Sequence, residues 1–138
     1  MITRTVKLAR LFERKYKFAS SEVTIDSVNW DYELDYETEY YLIADVTGSL
    51  HGESFTVKLK KYMTGARQFY STEELRKDFI YSDVEESSPK DFSKDDVKEV
   101  VMKISDADLE KGMHEANRAA KSVQSNWNQE SSYFHSDE

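Results

Sequence analysis

The stretch VTIDSVNWDYELDY, residues 23 to 36, decides the fold. Val28, Trp30, Tyr32, Leu34 and Tyr36 alternate there with Asn29, Asp31, Glu33 and Asp35. Successive side chains of a strand point to opposite faces, so the spacing predicts one aromatic face turned to a core and one carboxylate face turned to water. Val23 and Ile25 fall on the opposite parity, which predicts a bulge at Ser27. The carboxylate row continues through Glu37 and, beyond a turn, Glu39.

Downstream of this strand the chain keeps its β character. A second strand is predicted near Tyr40 to Val46. It turns through Gly48 to Gly52 into a third, Ser54 to Tyr62, where Phe55, Val57 and Leu59 alternate with Thr56, Lys58 and Lys60. An antiparallel meander follows. Helical signals then take over. Ser71-Thr-Glu-Glu74 is a capping-box pattern that introduces a short helix carrying Leu75 and Phe79. Residues 82 to 96 hold the only proline, Pro89, and read as a mobile acidic loop. Ser93 is placed to cap a segment with Val97, Val100, Val101 and Ile104 at helical spacing, although Val100 to Ile104 also reads as a short strand.

The clearest helix runs from Asp106 to Asn128, capped by Ser105. Leu109, Met113, Ala116, Ala120, Val123 and Trp127 recur along it at alternating steps of four and three. A seam of this kind packs on a sheet or, less often, on a second copy of itself. Upstream, residues 3 to 16 place Val6, Leu8, Leu11, Phe12 and Tyr16 on a helical stripe whose other face is basic. The fold expected is therefore α+β: an antiparallel meander of three strands, or four, against a long C-terminal helix and shorter ones. One domain over residues 1 to 128 and a frayed tail over 129 to 138 suit a chain of 138 residues.

Composition bounds the function. With 38% hydrophobic and 33% charged residues and a mean hydropathy of -0.76, the chain is polar, but its 13% aromatic content supports a packed core. No apolar run approaches the roughly 20 residues that cross a bilayer, and Met1 to Phe18 lacks the apolar stretch of a secretory signal, so a cytoplasmic protein with no membrane partner is expected. Absence of cysteine removes disulfides, thiolate metal sites and cysteine nucleophiles. The net charge of -8 is unevenly spread. Six basic residues against Glu13 leave residues 1 to 18 strongly positive, whereas residues 19 to 55 hold nine carboxylates and no lysine or arginine. Such alternation argues against direct binding of nucleic acid and for a basic protein surface as partner, with the chain itself a monomer or homodimer.

Catalytic signatures are missing. Of the three histidines, His51 sits in the hairpin turn, His114 on the long helix and His135 in the tail. Glu110 and His114 share a helix face, a pattern that fits a surface ion pair better than a metal site, since no HExxH or calcium loop accompanies it. His51 with Asp45 and Glu53 can be drawn as a site, but no nucleophile elbow or phosphate loop is present. No enzyme, metal or cofactor is predicted.

The row Asp31, Glu33, Asp35, Glu37 and Glu39 is the unusual feature. Neighbours two apart on a strand stand about 6.6 Å from each other and repel by about 0.6 kcal/mol in water before screening. An ordinary solvated edge strand tolerates that cost and gains protection from aggregation. Lys58 and Lys60, also pointing outward, are candidates to neutralise part of the row. Read functionally, the row binds a basic surface such as the groove of a nucleic-acid-handling enzyme. Charge mimicry would need a second row, which Asp83, Glu85, Glu86, Asp91, Asp95 and Asp96 are placed to supply. Small acidic inhibitors that phages direct at host nucleases, anti-CRISPR proteins among them, share this size and charge without any residue motif in common. The alternative function is structural assembly through the 109 to 127 seam.

Overall fold

The computed structural model describes residues 22–36 and 39–136, apart from the side chains of Tyr36 and of residues 124–136. Strands β1 (Val23–Tyr36), β2 (Glu39–Leu50), β3 (Glu53–Met63) and β4 (Asp83–Ser88) form one antiparallel sheet in the order β1-β2-β3-β4. Helices α1 (Thr72–Phe79), α2 (Lys94–Lys103) and α3 (Asp106–Ser136) complete the α+β fold. The sheet is the four-stranded form of the expected meander. The helical stripe predicted over residues 3 to 16, and Glu37, lie outside the described residues.

Alternation along β2 and β3 separates the two sheet faces. Tyr40, Leu42, Ala44, Val46 and Leu50 of β2 and Phe55, Val57, Leu59 and Met63 of β3 are all buried on the inner face. There they join Leu75 and Phe79 of α1, Val97, Val100 and Val101 of α2, and Leu109, Ala116, Ala119, Ala120 and Val123 of α3 in one core. The described part of the 109 to 127 seam is thus packed against the chain's own sheet. Trp30 and Tyr32 of β1 close the same core from the edge. The Trp30 indole nitrogen donates to the Asp108 carbonyl at 2.9 Å, and its ring lies 5.3 Å from that of Phe79.

Three readings of local structure change. The bulge in β1 falls one residue before Ser27: Ile25 pairs with Gly48 and Ser27 with Thr47, leaving Asp26 as the extra residue. The turn between β2 and β3 is only His51-Gly52, both with positive φ (54° and 86°), because a two-residue turn of this hand matches the twist of the flanking strands. Most consequentially, residues 82 to 96 are not a loop. Asp83–Ser88 pairs with β3 as an edge strand, and Ser93 caps α2 through a reciprocal bond with Asp96. Residues 97 to 103 are accordingly helical, which removes the alternative of a strand there. At the other end, α3 continues to Ser136, past Asn128 where the apolar spacing stops.

Candidate functional site: the outer face of the sheet

The face opposite the helices is built from the alternate residues of four strands. Asp31 pairs with Ile43, Ile43 with Lys60 and Lys60 with Asp83, so one transverse line crosses the sheet from acid to acid. One step along, Glu33 stands beside Tyr41 and Tyr41 beside Tyr62. Asn29, Asp45, Lys58 and Glu86 form the next line on the other side. Register changes at Asp35 in β1 and at Glu85 in β4 put an extra acidic residue into each edge strand. Bulges and charges of this kind also keep an exposed edge from pairing with another sheet.

Two carboxylate rows therefore occupy the two edges: Asp31, Glu33 and Asp35 on β1, and Asp83, Glu85 and Glu86 on β4. Three inter-strand steps separate the edge backbones by about 14 Å. The side chains converge over the middle. The Lys60 ammonium lies 3.3 Å from Glu33, 3.6 Å from Glu85 and 4.6 Å from the centroid of the Tyr41 ring. Its pKa is raised, first by the hydrogen bond to Glu33. The Tyr41 and Tyr62 rings stand 4.9 Å apart at 50°, a tilted pair that forms an aromatic ledge beside the lysine. Tyr62 donates to Glu39, and that bond, followed by burial and by the charges of Glu39 and Asp35, raises the phenol well above its ordinary range. Ile43, in register between Asp31 and Lys60, is only 6% exposed and gives the ledge an apolar floor.

Most of the predicted row is brought together: Asp31, Glu33 and Asp35 on β1, Glu39 at the start of β2 against Tyr62, and Asp83, Glu85 and Glu86 on β4. Asp96 leaves the group, because it caps α2 and approaches Lys90 at 3.8 Å, and Asp95 sits in the first turn of the same helix. Sequence reasoning missed Tyr41 and Tyr62, and it set Asp45 with His51 and Glu53 and not on this face. Their parity carries the signal: Tyr41 and Asp45 are out of phase with the buried Tyr40, Leu42 and Ala44, and Tyr62 is in phase with Lys58 and Lys60. Lys60 pairs with one acid from each row, the internal pairing for which the outward lysines were candidates. Among the described residues, counting Asp45 and Glu39, the face holds eight carboxylates against Lys58 and Lys60.

The two histidines with described side chains, His51 and His114, each face a carboxylate. His51 lies 3.1 Å from Glu99 and its backbone N–H donates to the Glu22 carbonyl, which ties the hairpin turn to α2 and to the start of β1. His114 pairs with Glu110 at 3.8 Å across one helical turn. Among the described residues no three His, Asp or Glu side chains are grouped as a metal site requires. A groove of about 510 Å³ between β4 and α2 is lined by Ile80, Tyr81, Val84, Phe92, Val97 and Lys98, and a shallower cleft on α3 by His114, Asn117, Arg118 and Lys121. Asn117 there accepts from and donates to the Phe69 backbone at 2.8 and 2.9 Å. No helix among the described residues is long and apolar enough to cross a membrane.

The chain matches no protein-family model, no curated protein and no solved structure.

Proposed function

We propose that the protein is a non-enzymatic binder whose outer sheet face engages a basic surface of another protein, and that it inhibits a nucleic-acid-handling enzyme by occupying its groove in the cytoplasm. The observation that carries this reading is the pair of carboxylate rows on the two edges of one sheet, with an aromatic ledge between them. A single row is too sparse to imitate a nucleic-acid backbone, whereas two rows flanking a stacking surface present charge and π-faces together, the features that basic grooves recognise in their substrates. Complementary charge of this kind mainly accelerates encounter and selects partners, so association should weaken steeply with salt. Assembly through the α3 seam has no comparable support, since Leu109, Ala116, Ala120 and Val123 are at most 1% exposed.

Reversing Asp31, Glu33 and Asp35 together to lysine tests the proposal. All three are exposed, so the fold should survive with an unchanged circular dichroism spectrum. Used as bait in a lysate of the source organism, the native chain is expected to retain a basic protein at low salt and to release it as salt rises. The reversed chain should retain none of it. Equal retention by the reversed chain would contradict the proposal.

A further inference from the structure

We infer that Lys60 holds, in the free protein, the position that a partner's arginine takes on binding, so that the outer face selects arginine-bearing surfaces over lysine-bearing ones. The inference rests on the reading of this face as a surface for basic partners. Its starting point is the imperfect fit of the lysine. Charge-assisted N–H···O bonds close to about 2.7–2.9 Å. The Lys60 ammonium is shared between two carboxylates from opposite edges, hydrogen-bonded to Glu33 at 3.3 Å and standing 3.6 Å from Glu85, both longer than that range.

A guanidinium suits the same place better. Its five donors are spread over a planar fork that can reach both carboxylates at once, its flat face stacks on an aromatic ring, and its weaker hydration lowers the cost of leaving water. The Tyr41 ring already faces a cation at 4.6 Å, and Tyr62 extends the ledge. Glu33 and Glu85 remain reachable, with side chains 60% and 43% exposed. Lys60 has somewhere to go: its stem is flexible, and Asp83 is its register partner on β4. Lys60 therefore acts as a built-in competitor that raises the threshold for weak or lysine-based partners. Lys58, one step along the same strand and face beside Asp45 and Glu86, carries the same charge outside this cage and serves as the control.

The test uses the full chain with octa-arginine and octa-lysine peptides at equal ionic strength, read by fluorescence anisotropy. Octa-arginine is expected to bind about tenfold more tightly, a difference within the range of cation–π and bidentate contacts. Lys60→Met and Lys60→Gln should each strengthen octa-arginine binding by roughly fivefold, while Lys58→Met should change it by roughly twofold or less, since long-range charge alone is screened. In the native chain, the NMR signals of the Lys60 side chain should shift on addition of octa-arginine as the ammonium leaves the cage, a readout that needs no substitution. Equal effects of the Lys60 and Lys58 variants, absence of arginine preference, or an undisturbed Lys60 in the saturated complex would each overturn the inference while leaving the basic-partner reading in place. Failure of the native chain to bind either peptide in a salt-dependent way would overturn both.

Discussion

Gly112 sits in the interior of α3, where glycine normally weakens a helix by about 1 kcal/mol relative to alanine. A Cβ at this position would meet the Trp30 ring at 2.6 Å, closer than real contacts allow. The indole cannot retreat cheaply, because its nitrogen is bonded to the Asp108 carbonyl and its ring leans on Phe79. The missing side chain thus lets the helix lie directly on the aromatic face of β1. Gly112→Ala is expected to lower stability: overpacking costs about 1–3 kcal/mol and outweighs the gain in helix propensity. A urea titration checks this, and a midpoint higher than that of the native chain would show that Trp30 moves more freely than its contacts imply. Packing of the α3 seam on a sheet was legible, but the alignment of Gly112 with Trp30 depends on how the helix is laid across the sheet, which no local pattern records.

Elements that announce themselves by periodicity were readable. The Ser71, Ser93 and Ser105 caps and the described part of the α3 spacing each have a local cause and appear where that cause puts them, and the β1 alternation holds from Val28 to Glu33, with the first bulge shifted by one residue, a second at Asp35 and Leu34 exposed. β4 was not readable for a physical reason. In DVEESS only Val84 and Ser87 face the core, so an edge strand paired on one side shows almost no apolar alternation and looks like an acidic loop. Its pairing comes from β3, which offers a free ladder of backbone groups. The joint between helices was equally hidden. One Arg76 nitrogen donates to the carbonyls of Val101, Met102 and Ile104, each at 2.9 Å, and the other meets Asp106 at 3.0 Å. These carbonyls lie at the C-terminal end of α2, where Val101 also accepts from the Ile104 N–H at 3.2 Å, so a single side chain adds donors to the end of one helix and reaches the first turn of the next. Arg76→Ala should cost about 2–3 kcal/mol, the range for charge-assisted bonds lost at a partly buried site. Thermal unfolding monitored by circular dichroism measures it, and a loss below about 0.5 kcal/mol, the scale of an ordinary surface substitution, would mean that water replaces the guanidinium without penalty.

Across the whole molecule the sheet divides labour between its faces. Among the described residues, the inner face and three helices make the core, while the outer face gathers eight carboxylates, two lysines and a tyrosine pair. The sequence revealed one of the two acidic rows as a strand face. The second row and the Tyr41–Tyr62 ledge required the sheet order, because β4 reaches the far edge only through its pairing with β3 and because Tyr41 lies within an apolar run that reads as core. The proposal at this scale is that this face receives a basic partner. The measurement that tests it most directly is a backbone amide NMR titration of the labelled full chain with octa-arginine at low and then high salt. Shifts concentrated on residues 29 to 35 of β1, 39 to 45 of β2, 58 to 62 of β3 and 83 to 86 of β4, and reversed by salt, are predicted. Shifts confined to the helices, or none at all, would contradict the account.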